Sequence, residues 1–222
     1  MRQTPCPVSV WRTILSAPRA DACLDWTFLF SNKGSAMFAL PQSLRPAVAA
    51  LLLGLSLHGL AADFRLTSPE IDPTQPLPQA QVANSFGCNG GNRSPALVWQ
   101  NPPAGTKSFA VTVYDPDAPT GSGWWHWLVF NIPASVDDLP AAIGGGAQRA
   151  DGSRQGRNDA GSHDFGGACP PPGDKPHRYI FTVHALKTEK LEVPTEASPA
   201  LIGYMIGANR IGKAVFTVRY GR

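Results

Sequence analysis

Glycine and proline each occur 22 times among the 222 residues. Proline fixes φ and withholds an N–H, and glycine weakens the interior of a helix or strand. A chain punctuated this densely, and without the three-residue period of collagen, has little room for long helices. It favours short strands joined by many turns. Hydrophobic residues make up 43%, enough for a packed core. Charged residues make up only 16%, which argues against a coiled coil or a solvating tail.

Seven runs are expected as strands: Phe64–Leu66, Gln81–Ala83, Leu97–Trp99, Phe109–Tyr114, Trp127–Ile132, Tyr179–Leu186 and Val215–Tyr220. In the fourth, Phe109, Val111 and Val113 alternate with Ala110, Thr112 and Tyr114, the period of two that marks a strand. One helix is expected after Ser198-Pro199, an N-cap followed by proline at the first helical position, with Leu201, Ile202, Met205 and Ile206 at helical spacing. The fold class is therefore mainly antiparallel β with a C-terminal helix, as one domain over residues 63–222.

The N-terminal part reads differently. Met37, Arg45, the apolar run Ala47–Leu57 and the small residues Gly59, Ala61 and Ala62 form the n-region, h-region and cleavage site of a signal peptide over 37–62. The apolar run is too short to span a bilayer. Residues 1–36 precede this complete signal without pattern, so translation is expected to start at Met37, with 1–36 an upstream artefact. Cleavage near Ala61 or Ala62 would deliver the domain to the periplasm or beyond. Arg2, Arg12, Arg19, Lys33 and Arg45 against Asp21 and Asp25 give residues 1–62 the whole net charge of +3. The remaining body is neutral and offers no electrostatic basis for nucleic-acid binding. It holds two cysteines, Cys88 and Cys169, which in an oxidising compartment are expected to pair as a disulfide.

Two loops carry the chemistry. Asp115-Pro116-Asp117-Ala118-Pro119 through Trp124-Trp125-His126-Trp127 joins two expected strands and brings Asp115 near His126. Its prolines stiffen it, so polar groups are held ready without an ordering cost. Phe165-Gly166-Gly167-Ala168-Cys169-Pro170-Pro171 through His177-Arg178-Tyr179 leads into another strand. Gly166 and Gly167 lack side chains, which would let an anion approach their N–H groups. Asp117 is expected to brace its own loop, Arg178 to make a structural ion pair, and Arg157-Asn158-Asp159 to fix a loop. His163 is expected in solvent, and His184 to be structural or exposed. The three tryptophans are expected to pack, with one ring lining a pocket.

These two stretches closely resemble the signature regions of the phosphatidylethanolamine-binding protein (PEBP) family, also called Raf-kinase-inhibitor-like proteins, in its exported bacterial branch. Phe86-Gly87-Cys88, Ser94-Pro95-Ala96-Leu97 with Trp99, and Arg157-Asn158-Asp159 extend the likeness over 63–222. The resemblance implies a large central antiparallel sheet, a smaller second sheet and peripheral helices. It also implies a pocket for small anions such as phosphate or a phosphoethanolamine headgroup, lined by Asp115, His126, Pro171, His177 and Tyr179, with Gly167, Ala168, Cys169 and Trp124 at its rim. Phe165 stands where relatives carry Tyr, and Cys169 where many carry Gly or Ala. A Cys88–Cys169 bridge would staple that rim.

The expected function is non-enzymatic binding of a small anionic ligand or phosphorylated headgroup. The alternatives are modulation of a protein partner such as a kinase or protease, and weak metal-dependent or acid–base hydrolysis. No Gly-x-Ser-x-Gly elbow, His-Glu-x-x-His or P-loop occurs, so no cofactor is expected. Asp115, His126 and His177 would be the donors if zinc were bound. With two imidazoles in the pocket, anion binding is expected to strengthen as pH falls from about 8 to about 6.

Overall fold

The structure, a computed structural model, describes residues 62–222; the expected signal peptide and the upstream extension lie outside them, except for Ala62. Eight strands form two antiparallel sheets. β1 (Arg65–Thr67), β2 (Leu97–Gln100) and β5 (Asp138–Leu139) make a small sheet in the order β1-β2-β5. β3 (Ser108–Asp115), β4 (Trp124–Pro133), β6 (Arg154–Gln155), β7 (His177–Leu186) and β8 (Arg210–Tyr220) make the larger one in the order β6-β4-β3-β7-β8. The mainly β class is as expected from the sequence, and the two-sheet arrangement is as the family resemblance implies.

The alternation along β3 distributes its side chains to two cores. Phe109, Val111 and Val113 join Trp127, Phe181, Val183 and Phe216 against Leu66, Leu97, Trp99 and Leu139 of the small sheet. Ala110 on the opposite face joins Leu128, Phe130, Ile202 and Ile206, where the helix α1 (Pro199–Asn209) packs. The large sheet is thus covered on both faces, which is why β3 is buried along nearly its whole length. α1 starts as the sequence indicates: Ser198 Oγ accepts the Leu201 N–H at 3.2 Å, with Pro199 at the first turn.

Four elements depart from expectation. Gln81–Ala83 is not a strand. Gln79–Gln81 is a 3₁₀ turn, and Val82 then makes a single parallel bridge to Ala168, because only this short stretch meets a partner. β8 starts at Arg210, directly after α1, rather than at Val215, since β7 offers a ladder partner as far as Leu186. β5 and β6 are two residues each, too short for any periodicity to register.

No helix among the described residues is long and apolar enough to cross a membrane.

Candidate functional site

The site forms where β3, β4 and β7 end together. β3 pairs with β4 so that Asp115 faces Trp124, and with β7 so that Tyr114 faces Ile180. Asp115 closes β3, His126 lies near the start of β4, and His177 opens β7. The chain therefore delivers all three to one end of the sheet. Gly123 makes the turn into β4 possible: its φ is +70°, and a Cβ there would sit 2.6 Å from the Asp115 carbonyl oxygen.

Asp115 is buried and its carboxylate is fully engaged. Oδ1 accepts the Asp117 N–H at 2.8 Å, and Oδ2 lies 2.8 Å from His177 Nδ1. A carboxylate only accepts, so His177 Nδ1 carries the proton. His177 Nε2 then faces Asp174 Oδ2 at 3.4 Å. Asp115 therefore orients His177, which reaches it from the neighbouring strand β7. Asp117 braces the arrangement from outside: its carboxylate takes the Arg178 N–H at 2.9 Å, Nε at 2.8 Å and Nη2 at 2.6 Å. This fork lowers the Asp117 pKa to about 2. Along β7 the pleat turns His177 and Tyr179 inward and Arg178 outward.

His126 is held by the other loop. Its Nδ1 lies 2.9 Å from the Gly166 carbonyl oxygen, while its own carbonyl accepts the Gly166 N–H at 2.9 Å. Nδ1 is again the protonated nitrogen, and the buried Nε2 has no partner. Burial lowers the His126 pKa below its usual value, outweighing the Gly166 carbonyl and Asp115. Burial thus works against charging of His126 between about pH 8 and 6 and favours its neutral form. The Tyr179 ring stands edge-on to His126, with centroids 5.2 Å apart. Burial, with Asp115 second, raises the Tyr179 pKa, so its hydroxyl stays a neutral donor.

The glycine loop differs from expectation. The N–H groups of Gly166, Gly167 and Ala168 are all committed, to His126 O, Asn92 Oδ1 and Gln81 O. They are not free to receive an anion. Gly167 is instead needed for close approach: a Cβ there would lie 2.7 Å from Gln81 O. Asn92 also donates from Nδ2 to Phe165 O at 3.3 Å. Asn158, buried, ties its loop through Ser162 Oγ at 3.0 Å and Asp164 O at 2.9 Å. Asp159 accepts the Trp125 N–H at 2.7 Å. Two members of the Arg157-Asn158-Asp159 cluster thus fix loops, whereas Arg157 faces Glu196 at 3.7 Å.

These groups surround a cavity of about 510 Å³, within the range of small-molecule sites. Asp115, His126, Pro171, His177 and Tyr179 all line it, as do Gly167, Cys169 and Trp124. Ala168 does not: its side chain is packed into the core. Of the other tryptophans, Trp127 is buried and donates to Gln155 Oε1 at 2.8 Å, and Trp125 packs on Tyr114. Cys88 and Cys169 form a disulfide with Cα atoms 6.0 Å apart, at the cavity's edge. Sequence reading misses Asn92, Ser85 and Arg222, which also line the cavity and belong to no recognisable motif. His184 is buried against Thr112 Oγ1 at 3.0 Å, away from the site. His163 is half-buried, with Nδ1 2.9 Å from Gln155 O, rather than free in solvent. No cluster of three or more His, Cys, Asp or Glu side chains placed to hold a metal ion occurs among the described residues.

The family model for phosphatidylethanolamine-binding protein matches residues 67–221. The UPF0098 protein YbcL of Escherichia coli K12 is 55% identical over 175 residues, covering 78% of this chain and 96% of YbcL. The UPF0098 protein YbhB of the same organism is 46% identical over 158 residues, covering 71% of this chain and 99% of YbhB. The crystal structure of E. coli YbcL, described as a new member of the mammalian PEBP family, superposes with a TM-score of 0.67 at 56% identity, over 72% of this chain and 99% of that one. This chain belongs to the phosphatidylethanolamine-binding protein family.

Proposed function

We propose that the protein is an exported binding protein whose cavity takes a small anionic group, of the phosphate or phosphoethanolamine kind, without turning it over. The observation that carries this reading is the cavity's fixed polar wall. Asp115, His177 and His126 are locked by short hydrogen bonds before any ligand arrives, so binding orders little. The Tyr179 hydroxyl lines the same space as a neutral donor. Family membership supports a phospholipid-like headgroup as the ligand class. Export rests on the leader at 37–62 and places the ligand in the periplasm or outside the cell.

Calorimetric titration of the purified protein with phosphoethanolamine, inorganic phosphate and ethanolamine tests the reading. Binding of the two phosphates but not of ethanolamine is expected, weakened by Tyr179→Phe. Absence of phosphate binding overturns it.

A second reading draws on the Asp115–His177 pair, which has the form of an oriented acid–base group. It predicts release of inorganic phosphate from phosphoethanolamine, abolished in His177→Ala. Pull-down from periplasmic extract tests the remaining alternative, a protein partner.

A further inference from the structure

Burial favours the neutral form of His126, so that ring is no fixed cation for an anion in this cavity. His177 has a carboxylate at each ring nitrogen, Asp115 at Nδ1 and Asp174 at Nε2, so a charge on it would be neutralised within that cluster. Two carboxylates, Asp115 and Asp164, line the cavity, and the N–H groups of Gly166, Gly167 and Ala168 are spent. Among the residues that line it, Arg222 is the only lysine or arginine.

Arg222 is held by backbone alone. Its Nε donates to Pro170 O at 2.7 Å, Nη1 to Gly87 O at 3.0 Å and Nη2 to Phe86 O at 3.4 Å. No Asp or Glu side chain lies within ion-pair distance of it among the described residues. A guanidinium has five N–H donors. Three are used here, which leaves one on each terminal nitrogen. The carbonyls that hold it flank the disulfide: Phe86 and Gly87 precede Cys88, and Pro170 follows Cys169. The bridge therefore keeps the three acceptors together, and the guanidinium is positioned by them without an Asp or Glu side chain among the described residues.

We propose that Arg222 is the anion-selecting residue of this cavity, held at its rim by the carbonyls of Phe86, Gly87 and Pro170 so that its two remaining N–H groups meet a negatively charged oxygen of the ligand. This inference rests on the anion-binding reading above. It adds what that reading lacks, a fixed cation that offsets the Asp115 and Asp164 carboxylates. A planar guanidinium presents directional N–H donors to the oxygens of a phosphate or carboxylate, which a point charge does not.

The test is titration of inorganic phosphate and phosphoethanolamine into the unsubstituted protein, Arg222→Gln and Arg222→Lys, at several salt concentrations. Arg222→Gln is expected to weaken binding of both probes by about tenfold or more and to flatten the salt dependence. Arg222→Lys keeps the charge but loses the fork, so its salt dependence should persist at reduced affinity. Loosening of the rim alone would lower affinity and leave the salt slope unchanged, and that result overturns the proposal. So does unaltered phosphate affinity in Arg222→Gln, while leaving the anion-binding reading intact. If the unsubstituted protein binds neither probe, the reading and the inference fall together.

Discussion

His177 Nδ1 and Asp115 Oδ2 lie 2.8 Å apart, with both side chains withdrawn from solvent. The pair links the end of β3 to the start of β7, so it is both a fastening of the sheet and a wall of the cavity. Because Asp115 can only accept, it fixes the proton of His177 on Nδ1. His126 reaches the same tautomer by a different route, through the Gly166 carbonyl.

The Nδ1-protonated tautomer is therefore expected for both neutral rings in long-range ¹⁵N–¹H spectra. Asp115→Asn removes the charge that enforces this at His177 and should release its preference while His126 keeps its own. Breaking one partner of a buried pair also lowers stability, here by about 3 kcal/mol in urea denaturation. An unchanged His177 spectrum in Asp115→Asn would show that the carboxylate does not set the tautomer.

Acid stability follows from the buried histidines. Burial lowers the His184 pKa to about 3, with Arg210 and Lys213 adding to the effect, and lowers that of His126 as well. A histidine with a depressed folded pKa binds more protons unfolded than folded as pH drops below about 6.5. Stability is thus full above that pH and falls below it, by about 1.4 kcal/mol per pH unit for each such histidine. Asp117 acts in a lower window, where its contribution is present above its ordinary value and lost as pH falls toward about 2. Unfolding midpoints measured between pH 7 and 4 should decline, and less steeply in His184→Gln. A flat profile would contradict the burial argument.

Glycine positions separate steric need from mere turn preference. Gly123 and Gly121 both have positive φ, at +70° and +82°, but a Cβ at Gly123 meets Tyr114 and Asp115 O whereas one at Gly121 meets nothing within 4 Å. Gly121→Ala is expected to cost about 1 kcal/mol, and Gly123→Ala more than about 2 kcal/mol because backbone must shift. Equal losses in denaturant melts would mean that the Asp115 turn is not sterically locked.

Much of this was legible in the sequence because it is local. The period of β3, the cap at Ser198 and the proline-stiffened loops announce themselves within a few residues. What escaped depends on partners distant in the chain. Gly166 and Gly167 look like free anion donors until His126 O and Asn92 Oδ1 take their N–H groups. Asp115 sits on the same hairpin as His126 yet bonds His177 across the sheet. Arg222 belongs to no motif, and gains its place only because Phe86, Gly87 and Pro170 converge on it.

The disulfide carries the last expectation. Cys88 and Cys169 are 81 residues apart, and closing a loop of that size restricts the unfolded chain by about 4 kcal/mol in the entropy model. The same bridge holds the Phe86-Gly87 turn, whose residues have φ of 54° and 81°, beside Pro170. A non-glycine residue in that region is strained and persists only when its surroundings fix it. Replacing both cysteines with serine should therefore do two separable things. It should lower stability by about 2–5 kcal/mol, seen in denaturant melts under oxidising conditions and absent when both proteins are compared reduced. It should also weaken Arg222's hold on the rim, so that amide exchange rises at Phe86 and Gly87 while β3 and β7 stay protected. Equal exchange in the two proteins would place the rigidity of the rim in the Arg222 hydrogen bonds alone, with the bridge contributing only to the unfolded chain.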